Sequence, residues 1–306
     1  MSDELAKARA ALADLGLPGD ARLRRLGGLT NLVFEVAGER ESWCLRLPGK
    51  GTEDYIDRRV EATNARAAAE AGVAPALIHA GADGVTVTRL IEDTVTMSPE
   101  GFRSIEGAVE RAARALRQLH AEARGFEFRF ELFAMIDQYL EVLAQRGAVL
   151  PDGYHQVVAE SGAVREALTR HELPLTACHC DPLCENFLDD GRKMWIVDWE
   201  YSGVNDPMWD LGDLSVEGEF DPAMDERLLA AYFDGRIDDF DRGRMVIYKA
   251  MCDLLWTLWG LIQHTDGNPA DDFWAYAIRR FERCRRLMDS PGFRDQLRAV
   301  HAGPGR

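Results

Sequence analysis

The chain has 306 residues and carries 36 Lys and Arg against 52 Asp and Glu, a formal charge of −16. Hydrophobic residues make up 46% and charged residues 29%, the balance of a globular chain rather than a disordered one, and the length suits two domains or two lobes of one. A charge of −16 argues against nucleic acid or an anionic membrane surface as the main partner, since both repel it, and leaves a cation, or a polyanion whose charge a metal offsets.

Met1 to Asp20 is Ala-rich with two acids among its first four residues. It reads as a short amphipathic helix and lacks the basic and apolar regions of a secretory signal. Six cysteines in 306 residues are too sparse for a disulfide scaffold, so a reducing cytoplasm is the expected compartment. Arg24 to Val36, Ser42 to Leu47 and Val85 to Leu90 predict strands, with β-branched or apolar residues between Gly-rich turns. Thr52 to Ala71 predicts a helix that stops at Gly72, with Pro75 just beyond. From Ser98 onward helical patterns dominate, at Gly107–Ala121, Phe133–Arg146, Tyr154–His171 and Met245–Gln263. Met245–Gln263 is the longest apolar run, but Lys249 and Asp253 within it predict a buried helix rather than a membrane span. One β-like island interrupts the helices, Asn186–Leu188 followed by Trp195–Val197. The expectation is an α+β, bilobal fold. A small β-rich lobe spans residues 1–91, a larger and mainly helical lobe spans 92–306, and the two join near Leu90–Thr94.

The chemistry concentrates in His179-Cys180-Asp181-Pro182-Leu183-Cys184-Glu185-Asn186, an apolar pair, the Gly191 turn and Trp195-Ile196-Val197-Asp198-Trp199-Glu200. An acid and an amide lie five residues apart on a loop, a hairpin follows, and a second acid emerges from a buried strand. Phosphoryl transfer needs such a set: one carboxylate orients the attacking hydroxyl and accepts its proton, while an amide oxygen and another carboxylate hold Mg²⁺ against phosphate.

At these residues the sequence resembles the choline and ethanolamine kinases, within the aminoglycoside phosphotransferase and protein-kinase-like superfamily. The likeness continues in Glu200-Tyr201-Ser202, in Asp210-Leu211-Gly212, in Gly28-Leu29-Thr30-Asn31 and in Leu45-Arg46-Leu47-Pro48-Gly49. It implies a protein-kinase-like fold that uses ATP and Mg²⁺. Asp181 then matches the catalytic base, and His179 a catalytic-loop residue that braces it. Asn186 and Asp198 match Mg²⁺ ligands, with Glu200 either assisting the metal or serving structure. Asp210 matches an acid that holds the loop in shape. The loop carrying Gly28, Thr30 and Asn31 lacks the glycine pattern of protein kinases, and by itself it fits a plain hairpin turn equally well. Its backbone N–H groups are the expected phosphate contacts. Arg46 stands where protein kinases carry Lys, as it does in choline kinases, with Glu61 its expected partner. Glu61 could also be part of a solvated helix face. Arg89, Leu90 and Ile91 match the hinge whose backbone binds adenine.

Trp256 and Trp259, spaced i, i+3, share one helical face, and Tyr276 lies on the next helix. Alone, such aromatics read as core. Beside the kinase motif they resemble the aromatic cage of choline kinases, and Glu217 falls where the family carries a cage-side carboxylate, or else is a solvated loop acid. A quaternary ammonium has no N–H to donate, so aromatic faces must recognise it, and two tryptophans favour choline over ethanolamine. Between 178 and 219 eleven acids face only Arg192 and Lys193, which predicts an acidic cleft for a cationic alcohol. Three alternatives stand beside this reading. The same fold could serve ethanolamine, thiamine, homoserine or an aminoglycoside. A kinase fold could bind without catalysing. A metal or redox site could form on Cys178, His179, Cys180 and Cys184. Oligomeric state is left open.

Overall fold

The computed structural model describes residues 3–18, 21–27, 31–38, 41–49 and 56–305. Helix α1 (Asp3–Asp14) precedes strands β1 (Arg22–Arg25), β2 (Leu32–Ala37) and β3 (Trp43–Leu47). Helix α2 (Arg58–Glu70), β4 (Leu77–Ala80) and β5 (Thr86–Arg89) complete the N-terminal part. These strands form one antiparallel sheet in the order β1-β2-β3-β5-β4. The segment Arg24 to Val36 is therefore two strands, β1 ending at Arg25 and β2 starting at Leu32, with Arg25 opposite Phe34. Asp57 caps α2, accepting from the N–H groups of Arg59 (2.9 Å) and Val60 (3.2 Å). That cap starts the helix at Arg58, and residues 52–55 of the predicted helix lie outside the described residues. At its end Gly72 takes φ = 73°, a left-handed conformation that stops a helix.

The larger part begins with β6 (Val95–Thr96), α3 (Pro99–Ser104), α4 (Ala108–Glu122), α5 (Leu132–Gln145), α6 (Tyr154–Glu160) and α7 (Gly162–Thr169). Next come β7 (Thr176–Cys178), β8 (Phe187–Asp189), β9 (Met194–Ile196) and β10 (Gly203–Asn205). Helices α8 (Pro207–Glu217), α9 (Pro222–Phe233), α10 (Asp239–Thr265), α11 (Phe273–Met288) and α12 (Pro291–Ala302) end the described chain. The predicted helix Tyr154–His171 is broken at Ser161, whose hydroxyl donates to the Val158 carbonyl and competes with the helical ladder. Helices α3, α8, α9 and α12 each start from a Ser or Asp cap followed by Pro, which fixes where they begin.

Two cores form. Phe34, Val36, Leu45 and Val87 of the sheet pack on Ala8 and Leu12 of α1. The larger core gathers Leu116 and Leu119 of α4, Trp209 and Leu211 of α8, and Leu254 and Leu258 of α10. Ala65 and Ala68 of α2 belong to this larger core, so α2 bridges the two parts although it lies between strands of the sheet in sequence. Helix α10 is long and apolar enough to cross a membrane, yet 83% of its most apolar window is buried inside the protein, as a central core helix requires.

Candidate active site

Strand β7 pairs antiparallel with β10, Cys178 opposite Gly203, and leads through the buried His179 and Cys180 to Asp181, which lines the cleft. Asp210 on α8 holds this loop from behind. Its two oxygens accept from the backbone N–H of His179 (2.7 Å) and Cys180 (2.8 Å), and its Oδ2 also meets His120 Nε2 at 3.0 Å. Tyr232 completes the brace through its hydroxyl, 2.8 Å from His120 Nδ1. His179 is fully buried and lies off the cleft wall, its Nε2–H donating to the Val197 carbonyl at 2.9 Å. Cys180 (φ 66°) and Asp198 (φ 67°) both adopt left-handed backbone, which costs a non-glycine residue about 1–3 kcal/mol and persists only where the surroundings enforce it.

A 3₁₀ turn over Cys184–Asn186 leads into β8, and β8 pairs with β9, Phe187 opposite Ile196. Asn186 donates through Nδ2 to the Asp181 carbonyl at 3.0 Å, so its Oδ1 is the atom left for a ligand. Its own carbonyl accepts from Val197 N at 3.0 Å, which ties the amide to the segment carrying Asp198.

Arg46 on β3 reaches Glu61 Oε1 (2.5 Å), Glu200 Oε2 (2.7 Å) and Asp198 Oδ1 (3.0 Å). Arg58 is a second guanidinium here, 2.7 Å from Glu61 Oε2 and 3.1 Å from Glu200 Oε2. Asn31 joins them, donating to Glu200 Oε2 at 3.2 Å and accepting from Gly49 N at 3.2 Å. Glu200 therefore gathers three donors on one oxygen. Burial and Asp198 push its carboxyl up to about 7, against the pull of the two arginines. Oxygens of Glu61, Asp198 and Glu200 lie within 4.8 Å of one another. This all-oxygen set suits a hard cation such as Mg²⁺ and not a thiophilic metal. Gly28 and Thr30 lie outside the described residues.

The cleft encloses about 1280 Å³ and is lined by Asn31, Arg46, Glu61, Asp181, Asn186, Asp198 and Glu200. Arg89, Leu90 and Ile91 also line it. The Arg89 side chain pairs with Glu41 at 3.1 Å, and the Leu90 N–H is committed to the Ser42 carbonyl at 2.9 Å.

Part of the lining is aromatic. Trp256 and Trp259 of α10 meet edge to face (6.4 Å, 88°), and Trp259 meets Tyr276 (5.8 Å, 68°) and Phe273 (5.5 Å, 81°) of α11. Tyr201 packs edge-on against Trp256 at 5.5 Å. Glu217 lies on the same wall, ion-paired with Arg280. Trp256 Nε1 donates to Asp213 Oδ2 at 3.4 Å, and Cys252 Sγ to Asp213 Oδ1 at 2.7 Å. Asp213 is fully buried, and burial together with Glu217 raises its carboxyl well above the usual range. The cluster of Cys178, Cys180 and Cys184 is buried, and burial raises all three thiols, which makes them packing groups rather than nucleophiles.

Sequence reasoning missed Arg58, Phe273, Tyr201 as a wall residue, the His120–Tyr232 brace and Arg280. Two of these carried a local signal: Arg58 lies three residues before Glu61, and Arg280 four after Tyr276, so each pair shares a helical face.

A family model described as Phosphotransferase enzyme family matches residues 22–248. The structure of a choline/ethanolamine kinase family protein from Mesorhizobium loti superposes with a TM-score of 0.90 at 57% identity, covering 98% of this chain and 100% of that one. Choline kinase LicA from Streptococcus pneumoniae gives 0.77 at 25% identity, over 92% of this chain and 98% of that one. Ethanolamine kinase 2 of Rattus norvegicus is 26% identical over 296 residues, which is 87% of this chain and 76% of that protein.

Proposed function

The chain belongs to the phosphotransferase enzyme family and, within it, to the choline/ethanolamine kinases, and from that premise we propose that it transfers the γ-phosphoryl group of ATP to the hydroxyl of choline or a closely related amino alcohol. One observation carries the reading: a single cleft is lined by Asp181, Asn186 and Asp198 together with the Arg46 guanidinium and the aromatic rings of Trp256, Trp259 and Tyr276. Arg46 and Arg58 suit the phosphates, since a guanidinium can hold two phosphate oxygens in parallel. Asn31 lines the same cleft, Gly28 and Thr30 of its loop lie outside the described residues, and the Leu90–Ile91 segment offers the surface for adenine. Asn186, Asp198 and Glu200 would hold Mg²⁺, with Glu61 tying the arginines in place. Bound Mg²⁺ neutralises charge on the transferring phosphoryl oxygens.

Asp181 orients the acceptor hydroxyl and takes its proton, with His179 and Asp210 fixing the loop on which it stands. Trp256, Trp259 and Tyr276, with Glu217 beside them, receive the ammonium end of the acceptor. Aromatic faces recognise a cation that has no N–H to donate, which favours choline. The compartment this reading assigns is the cytoplasm, where ATP is at hand.

An ATP-consumption assay with choline, ethanolamine, thiamine, homoserine and an aminoglycoside side by side tests it. Choline is expected to give the highest kcat/KM and ethanolamine the next. A lead for thiamine, homoserine or the aminoglycoside sinks the acceptor assignment. No consumption with any of them leaves a kinase fold that only binds.

A further inference from the structure

Resting on the reading of the aromatic pocket as the acceptor site, we propose that Arg280 is a specificity-determining residue that tunes this pocket toward a fully alkylated ammonium and against a primary one. Arg280 lines the cleft, yet only 5% of it is exposed. Its guanidinium carbon sits 4.7 Å from the centre of the Tyr276 ring. Nη2 pairs with Glu217, and Nη1 donates to Asp253 Oδ1 at 3.2 Å. Arg283 fixes Asp253 in turn through two hydrogen bonds of 2.6 Å. A resident cation inside a cation-binding pocket would repel its ligand unless it were balanced, and Glu217 and Asp253 supply that balance. The cost falls on Glu217, whose field Arg280 cancels.

A second carboxylate near the tryptophans, Asp213, is committed to Cys252 and Trp256, while Asp181 and Asp271 also line the cleft. The wall itself offers the ligand π faces, on Trp256, Trp259, Phe273, Tyr276 and Tyr201. A primary ammonium carries three N–H donors and loses strong hydration on entry, so it needs carboxylate acceptors. A trimethylammonium donates nothing and is satisfied by aromatic faces. Arg280 therefore discriminates by withholding Glu217 as an acceptor.

The experiment combines two readouts on the wild type and on Arg280→Met, Arg280→Lys, Glu217→Gln and the Arg280→Met/Glu217→Gln double variant. One is kcat and KM for choline, ethanolamine and ATP. The other is binding of tetramethylammonium and methylammonium followed by tryptophan fluorescence. Arg280→Met is expected to raise the ethanolamine-to-choline ratio of kcat/KM at least tenfold through the acceptor KM, with the ATP KM unchanged. Arg280→Lys and the double variant should return the ratio toward wild type. Glu217→Gln alone leaves the guanidinium less balanced and should weaken tetramethylammonium at least tenfold, which keeps the test alive if Arg280→Met does not fold. An unchanged ratio, or equal losses for both alcohols and ATP, overturns the proposal. If the wild type phosphorylates neither alcohol while Arg280→Met still shifts binding from tetramethylammonium toward methylammonium, the assigned reaction fails and the role of Arg280 stands.

Discussion

Asp181 lies among Asp213, Glu217, Asp198 and Glu200, and burial together with these carboxylates holds its own carboxyl well above the ordinary range. A base must be ionised to accept a proton, so activity is lost as pH falls through that raised value, not through the usual aspartate value near pH 4. The acid limb of the kcat/KM profile, which reports the free enzyme, is expected above the ordinary carboxylate range. A limb at ordinary aspartate pH would contradict this. Asp181→Asn keeps the shape of the side chain and removes the base, so kcat should fall by about 10²–10⁴ while ATP affinity is unchanged. A matching loss of ATP affinity, measured by nucleotide titration, would mean that Asp181 holds nucleotide rather than acceptor. Asp181, Asn186 and Asp198 were legible in the sequence because one loop and one hairpin carry all three. Arg58 was less so, since its meaning comes from Glu200, 142 residues away, and no local pattern announces that meeting.

Helices α10 and α11 build the aromatic wall together, and they can do so because residue 260 is Gly. A Cβ there would stand 2.7 Å from Tyr276 Cδ1 and 3.3 Å from the Ala277 Cβ. Gly260→Ala should push Tyr276 out of the wall, costing about 1–3 kcal/mol of stability by overpacking. It should also raise the acceptor KM several-fold while the ATP KM stays put, a split that thermal denaturation and initial rates together can check. Helix α8 plays the matching part for the catalytic loop. Replacing the fully buried Asp210 by Asn turns one acceptor into a donor facing a backbone N–H. It should cost about 1–3 kcal/mol and lower kcat, because the loop loses part of its brace. Long helices with clear periods and Ser/Asp-Pro starts were readable from sequence. The strands at Leu77–Ala80, Val95–Thr96, Thr176–Cys178 and Gly203–Asn205 were not, being two to four residues long and defined by the partner they pair with.

For the whole molecule the acidic balance has a different weight from the one its sequence count suggests. Of the eleven acids between 178 and 219, Asp189, Asp206 and Asp210 are buried against Arg111, Arg244 and His120 and are not part of the cleft lining. Of the acids that line the cleft, Asp198 and Glu200 tie its two sides together through Arg46. Glu200, beyond β9, accepts from Arg46 of β3, from Arg58 of α2 and from Asn31 beside β2. Above pH 7, where the native carboxyl is ionised, replacing Glu200 by Gln leaves two buried guanidiniums short of charge and should lower the melting temperature. It should also loosen the two parts, seen as a larger radius of gyration in scattering. The phosphates of a nucleotide can refill that deficit, and this separates the two roles left open for Glu200. If Glu200 chiefly balances the arginines, metal-free ATP in the presence of a chelator should raise the melting temperature of Glu200→Gln more than that of the wild type, because phosphate replaces the missing charge. If Glu200 acts only as a metal ligand, metal-free ATP should shift both proteins equally, and the difference should appear only when Mg²⁺ is added.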